Sequence, residues 1–161
     1  MNIKTIGALA AVALLAACAN KPAVTSGGGG GTGMTTQSAT GPAPGSEEDL
    51  VANVGDRVFY EFNSSTLTDE AQATLTKQAN WLQKYPANRV QVAGNCDDRG
   101  TEEYNLALGN RRAKAARDFL VARGVSSDRI TTISYGKDRP TALGDNEQAW
   151  AQNRNAITSV R

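Results

Sequence analysis

Two aspartates and an arginine define the chemistry this chain can offer. Asp97 and Asp98 sit in a turn between Gly94 and Gly100, and Arg112 follows on the next predicted helix, seven residues after Asn105. A carboxylate grips an ammonium, whereas a planar guanidinium binds a carboxylate through two parallel N–H bonds. Asp97 and Arg112 therefore have two uses. They can neutralise each other as an internal ion pair that ties the turn down, or they can flank a pocket that selects a zwitterion. The turn's backbone amides, with Gly94 and Gly100 allowing close approach, add further donors.

Other chemistries are thinly supplied. The chain has no histidine, which removes the commonest general base, the commonest zinc ligand and every Ser-His or Cys-His pair. Adjacent acids on a turn beside an arginine suit glycoside cleavage poorly, because that reaction needs two carboxyls flanking a sugar at about 5 to 9 Å. Two cysteines far apart, Cys18 and Cys96, and scattered carboxylates give no spacing specific for a metal. The expectation is a binding protein, not an enzyme, with no cofactor and no metal. The formal charge is +1, and Lys4 is the only charged side chain before Cys18, so basic and acidic residues balance from there on. Such a balance argues against nucleic acid and other polyanions as partners. Cys96, with apolar Val92 and Ala93 just upstream, reads better as a small buried filler than as a reactive thiol.

The elements that position these residues follow from periodicity. Arg57 to Phe62 is rich in β-formers and places Val58, Tyr60 and Phe62 on one face of a strand. Thr68 caps a helix with Asp69 and Glu70 in its first turn and Ala71, Leu75, Ala79 and Leu82 on one side, ending before Pro86. A second strand spans Arg89 to Gly94. The second helix runs from about Glu102 to Arg123 and closes on Gly124. Arg129 to Tyr135 and Asn155 to Val160 are further strands, with a helical turn at 147–152 between them. The fold class expected is α+β, a two-layer βαβαββ domain with helices on one face of a mixed sheet. On the second helix the apolar arc runs from Ala115 round to Leu106, and Asn105 and Arg112 interrupt its middle while Arg111 falls on the opposite side. A guanidinium aimed at a core is costly unless it is paired and hydrogen-bonded, so Arg112 needs partners.

Ahead of the domain, Met1 to Ala17 has a cation at Lys4 and an apolar run from Ile6 to Leu15, the layout of a secretory signal. Its end, Leu15-Ala16-Ala17-Cys18, resembles the lipobox of bacterial lipoproteins, which implies cleavage before Cys18 and acylation of that residue. Ala19 in place of a retention Asp then implies the outer membrane. Residues 18–53, with five glycines from Gly27 to Gly31 and Pro42 and Pro44, read as a flexible tether, and the folded domain as 54–161.

Gly94 to Ala113, Ser134 to Pro140 and Ala149 to Arg154 together resemble the OmpA-like peptidoglycan-binding domain. The resemblance implies the βαβαββ fold and non-covalent binding of the meso-diaminopimelate in peptidoglycan stem peptides. By position it implies Asp97 and Arg112 as the paired recognition residues and Asn105 as the helix side of the pocket. Phe62 and Asn63 would form its other wall, and Arg154 lies in the family's Asn-Arg-Arg segment. Lipoproteins of this kind also engage TolB and other Tol components in envelope integrity and cell division, so the implied partners are peptidoglycan, TolB and the outer membrane. Three positions depart from the family pattern: Asn95 stands for a usual His, Asp98 for a Glu, and Asn155 for the second Arg of the Asn-Arg-Arg segment.

Overall fold

The computed structural model describes residues 41–161. The signal segment, Cys18 and most of the expected tether lie outside the described residues. Four strands make one mixed sheet in the order β1-β4-β2-β3, from β1 (Arg57–Phe59), β2 (Val90–Asn95), β3 (Ile130–Gly136) and β4 (Asn155–Val160). β2 and β3 run parallel, while β4 inserts between β1 and β2 and is antiparallel to both. Among the described residues, no helix is long and apolar enough to cross a membrane.

The two long helices sit where their sequence signals put them. α2 (Asp69–Lys84) is capped by the Thr68 hydroxyl, which accepts from the Ala71 amide at 3.2 Å. Its Ala71, Leu75, Ala79 and Leu82 are buried against Val58, Val90 and Val92 of the sheet. α3 (Glu102–Ala122) is capped by Thr101 in the same way, and Gly124 closes it with φ +92°. Left-handed backbone there lets the Val125 amide return to the Leu120 carbonyl at 3.1 Å. One end of the expected apolar arc is not covered: Leu106 is half exposed.

Two boundaries differ from the expectations. β1 stops at Phe59 instead of Phe62, so Val58 and Tyr60 face the core but Phe62 leaves the sheet and is 59% exposed. The folded part also begins earlier than 54. A helical turn α1 (Glu47–Asp49) runs into a π-helical turn at Leu50–Val54, and Leu50 is only 1% exposed within the core. The Asp49 carboxylate accepts from the Gly45 amide, the Asn53 amide and the Trp81 indole at 2.7 to 2.9 Å. The tether's C-terminal end is therefore part of the domain. The stretch escapes a compositional reading because one apolar side chain, Leu50, does most of its packing.

Candidate functional site

α3 lies unusually close to β2 because two glycines meet there. A Cβ on Gly94 would overlap the Gly109 carbonyl, and one on Gly109 would come within 2.8 Å of the Gly94 oxygen. This contact brings Arg112, one turn after Gly109, over the end of β2. A cleft of about 210 Å³ opens there between the β2–α3 turn, the first turns of α3 and the loop after β1. Its walls include Asp97, Asn105 and Arg112, with Phe62 and Asn63 on the far side. Five of the expected site residues thus converge. A larger hollow, about 400 Å³, borders the open edge of β1 but holds none of Asp97, Asn105 and Arg112. Volume alone does not choose the site; convergent polar groups favour the smaller cleft.

Arg112 is 1% exposed, and its partners are backbone oxygens. Nε donates to the Ser64 carbonyl and Nη1 to the Asn95 carbonyl, both at 2.8 Å, and Nη2 to the Glu61 carbonyl at 3.2 Å. The Tyr60 ring packs 5.2 Å from the guanidinium, and its hydroxyl donates to the Arg112 carbonyl at 2.8 Å. Burial pulls the Arg112 pKa below its ordinary value, with Asp97 among the groups that oppose the shift. Three of five N–H groups are spent, leaving one on each terminal nitrogen, the pair a carboxylate takes in a bidentate contact.

Asp97 does not pair with Arg112. Its Oδ2 is held by Arg99 at 2.6 Å and by Arg154 at 3.4 Å. Among the described residues no donor bonds Oδ1 of this 5% exposed side chain, which leaves an acceptor on the cleft wall. Arg154 also donates to the Tyr60 carbonyl at 3.1 Å and to Glu147 at 2.7 Å. It stands behind Asp97 as a support instead of lining the cleft. Asn105 likewise spends its amide on structure, donating to the Arg99 and Thr101 carbonyls at 2.8 and 3.1 Å. Cys96 is a filler, its thiol donating to the Asn105 carbonyl at 3.3 Å and its pKa pushed up by burial.

Three residues of this region, Arg99, Tyr104 and Trp150, have roles that their spacing does not display. The Arg99 guanidinium packs on the rings of both Phe62 and Trp150, at 4.2 and 4.1 Å. Tyr104 hydrogen-bonds through its hydroxyl to Asn63 Oδ1, and Asn63 has the left-handed φ of +55°. Stacking partners drawn from three separate segments cannot be read from spacing. The departures at 95 and 155 also fall elsewhere. Asn95 Nδ2 donates to Asn155 Oδ1 at 2.8 Å, both side chains are buried, and neither lines the cleft. The Asn155 side chain is thus spent behind the cleft wall, not on it. Asp98 is exposed and outside the cleft, so its shorter side chain does not shape the walls.

Comparisons with known proteins agree with this architecture. The model of the OmpA family matches residues 59–154. A peptidoglycan-associated lipoprotein of Brucella melitensis is 49% identical over 144 residues, covering 89% of this chain and 83% of that one. One from Pseudomonas putida is 40% identical over 161 residues, covering 96% of each. The crystal structure of the peptidoglycan-associated lipoprotein from Burkholderia pseudomallei superposes with a TM-score of 0.64 at 42% identity, covering 66% of this chain and 90% of that chain. The C-terminal domain of Helicobacter pylori MotB shares the fold at 22% identity and a TM-score of 0.62, over 66% of this chain and 84% of its own. With a family model over more than half its length and such relatives over most of the rest, the chain belongs to the OmpA family, among its peptidoglycan-associated lipoproteins.

Proposed function

We propose that the chain tethers the outer membrane to the cell wall by binding the diaminopimelate of peptidoglycan stem peptides in the Asp97–Arg112 cleft. The carrying observation is the division of labour inside that cleft. Asp97 offers a free carboxylate oxygen and Arg112 offers two unspent N–H groups, and neither is consumed by the other. The free end of meso-diaminopimelate bears an ammonium and a carboxylate on one carbon, which suits such a pair. Cys18 supplies the anchor by acylation, the tether that follows it the reach, and the domain the grip. Co-sedimentation of the full chain with peptidoglycan, competed by soluble L-Ala-γ-D-Glu-meso-diaminopimelate, tests the reading. Binding that the peptide cannot compete would sink it.

A protein partner is the second reading, favoured by the exposed aromatic rim. Phe62 and Tyr104 are 59% and 45% exposed and line the cleft, where aromatic side chains make good interface anchors. TolB and other Tol components are the partners proposed for that rim. If it is shared, TolB and the stem peptide compete for one surface, and TolB binding that is indifferent to saturating peptide argues against sharing.

A further inference from the structure

The Phe62–Arg99–Trp150 stack holds more unsatisfied chemistry than any other part of the described domain. Arg99 keeps one terminal nitrogen on Asp97 at 2.6 Å and the other 3.7 Å from Glu147. Its Nε has no acceptor. Neither has the indole N–H of Trp150, against which it packs. Only three buried side-chain polar atoms among the described residues lack a partner, and the two donors among them both belong to this stack. Buried donors without acceptors are costly and rare, so two in one contact pair point to an acceptor supplied from outside.

Charge points the same way. Titratable side chains lining the cleft are one carboxylate, Asp97, two guanidiniums, Arg99 and Arg112, and the phenol of Tyr104. Arg154 and Glu147 behind them form their own pair. A ligand end with one ammonium and one carboxylate brings no net charge and leaves the cleft with a surplus positive charge. We infer that Arg99 binds a second carboxylate of the stem peptide, that of the D-glutamyl residue next to diaminopimelate, and so selects the acid over its amide. The acceptor enters at Nε as Phe62, the more exposed ring of the stack, shifts outward. The indole of Trp150, packed on the same guanidinium, supplies a second donor.

This inference rests on the stem-peptide reading, and one experiment separates the two. The full chain carrying Cys18→Ser, its Arg99→Ala and Arg99→Lys variants are titrated with L-Ala-γ-D-Glu-meso-diaminopimelate and with the same peptide amidated at the D-glutamyl carboxyl. The unsubstituted chain is expected to bind the acid about tenfold more tightly than the amide, because a charge-assisted contact is lost. Arg99→Ala should bind both equally, and Arg99→Lys should keep part of the preference because it keeps the charge. The acid should also move the indole N–H resonance of Trp150 and leave that of Trp81, which already donates to Asp49, in place. Equal loss on both peptides in Arg99→Ala, with the preference intact, would show that Arg99 merely steadies Asp97 and overturns the inference. No preference in the unsubstituted chain overturns it as well, while failure to bind either peptide removes the stem-peptide reading itself.

Discussion

Asp97 and Arg112 wall the same cleft, yet each is held by other partners: Asp97 by Arg99 and Arg154, Arg112 by the carbonyls of Glu61, Ser64 and Asn95. The separation has an energetic meaning. A mutual ion pair would have to be broken to admit a ligand, whereas here the charged groups are fixed in place with their ligand-facing atoms unspent. Such preorganisation lowers the cost of binding.

The two residues should therefore answer differently to substitution. Asp97→Asn keeps the shape and an acceptor for the two arginines, so it should weaken stem-peptide binding at least tenfold with a small change in melting temperature. Arg112→Ala strips three carbonyls, that of Asn95 fully buried, of their donor and leaves a void, which should lower stability by about 3 kcal/mol or more. Arg112→Lys, which restores charge without the planar fork, is the better test of recognition and should also lose binding. Calorimetric titration beside thermal melts would distinguish these outcomes. Full affinity in a folded Asp97→Asn variant would contradict the assignment of Oδ1.

The N-terminal turn gives a pH prediction. Bonds from the Gly45 amide, the Trp81 indole and the Asn53 amide hold the Asp49 pKa down at about 2. The unfolded chain takes up this proton at a pH near 4, so between about pH 4 and pH 2 the unfolded state binds more protons and stability rises with pH. The contribution is full above that window and is lost as pH falls through the folded pKa. The melting-temperature gap between the unsubstituted chain and Asp49→Asn should shrink from pH 5 toward pH 2. A gap that stays constant over that range would remove Asp49 from the account. Leu50→Ala should cost about 2 to 5 kcal/mol at neutral pH, as for other core truncations.

How much of this was legible depends on where the partner of each group lies. The faces of α2 and α3, their caps and the closing Gly124 are local, and the sequence displays them. Arg112 stood out because a helical wheel needs only neighbours on one helix. Its acceptors did not, since every residue has a carbonyl and the three used come from the loop after β1 and the last residue of β2. Arg99 was hidden for the same reason, its rings being supplied by the loop after β1 and by α4 (Glu147–Asn153). Leu50 was hidden because a short turn with a single buried anchor has no periodicity to read.

The Gly94–Gly109 contact should be as intolerant as a core. Gly94→Ala forces the new methyl into the backbone of α3, which cannot turn aside as a side chain can. Its cost should be about 3 kcal/mol, the upper range for overpacking. Since α3 would shift together with Arg112, stem-peptide affinity should fall even where the variant remains folded at low temperature. Denaturant unfolding and titration on the same sample measure both effects, and an alanine at 94 without loss of stability would contradict the packing described.

Asn95 and Asn155 provide a test with the opposite signature. Asn155 donates its own amide to the Thr141 hydroxyl at 3.1 Å and to the Gln152 carbonyl at 2.7 Å, which fixes its orientation and presents its Oδ1 to Asn95. Removing either side chain leaves a buried partner unsatisfied, while removing both leaves less to satisfy. Asn95→Ala and Asn155→Ala should each destabilise the domain, and the double variant should be less damaged than their sum, with a coupling of about 1 kcal/mol. Neither residue lines the cleft, and the Asn95 carbonyl that accepts from Arg112 belongs to the backbone, so stem-peptide affinity should stay within about twofold in Asn95→Ala. Additive losses would mean the two amides do not share a bond, and a large loss of affinity in that variant would place position 95 back in the binding site.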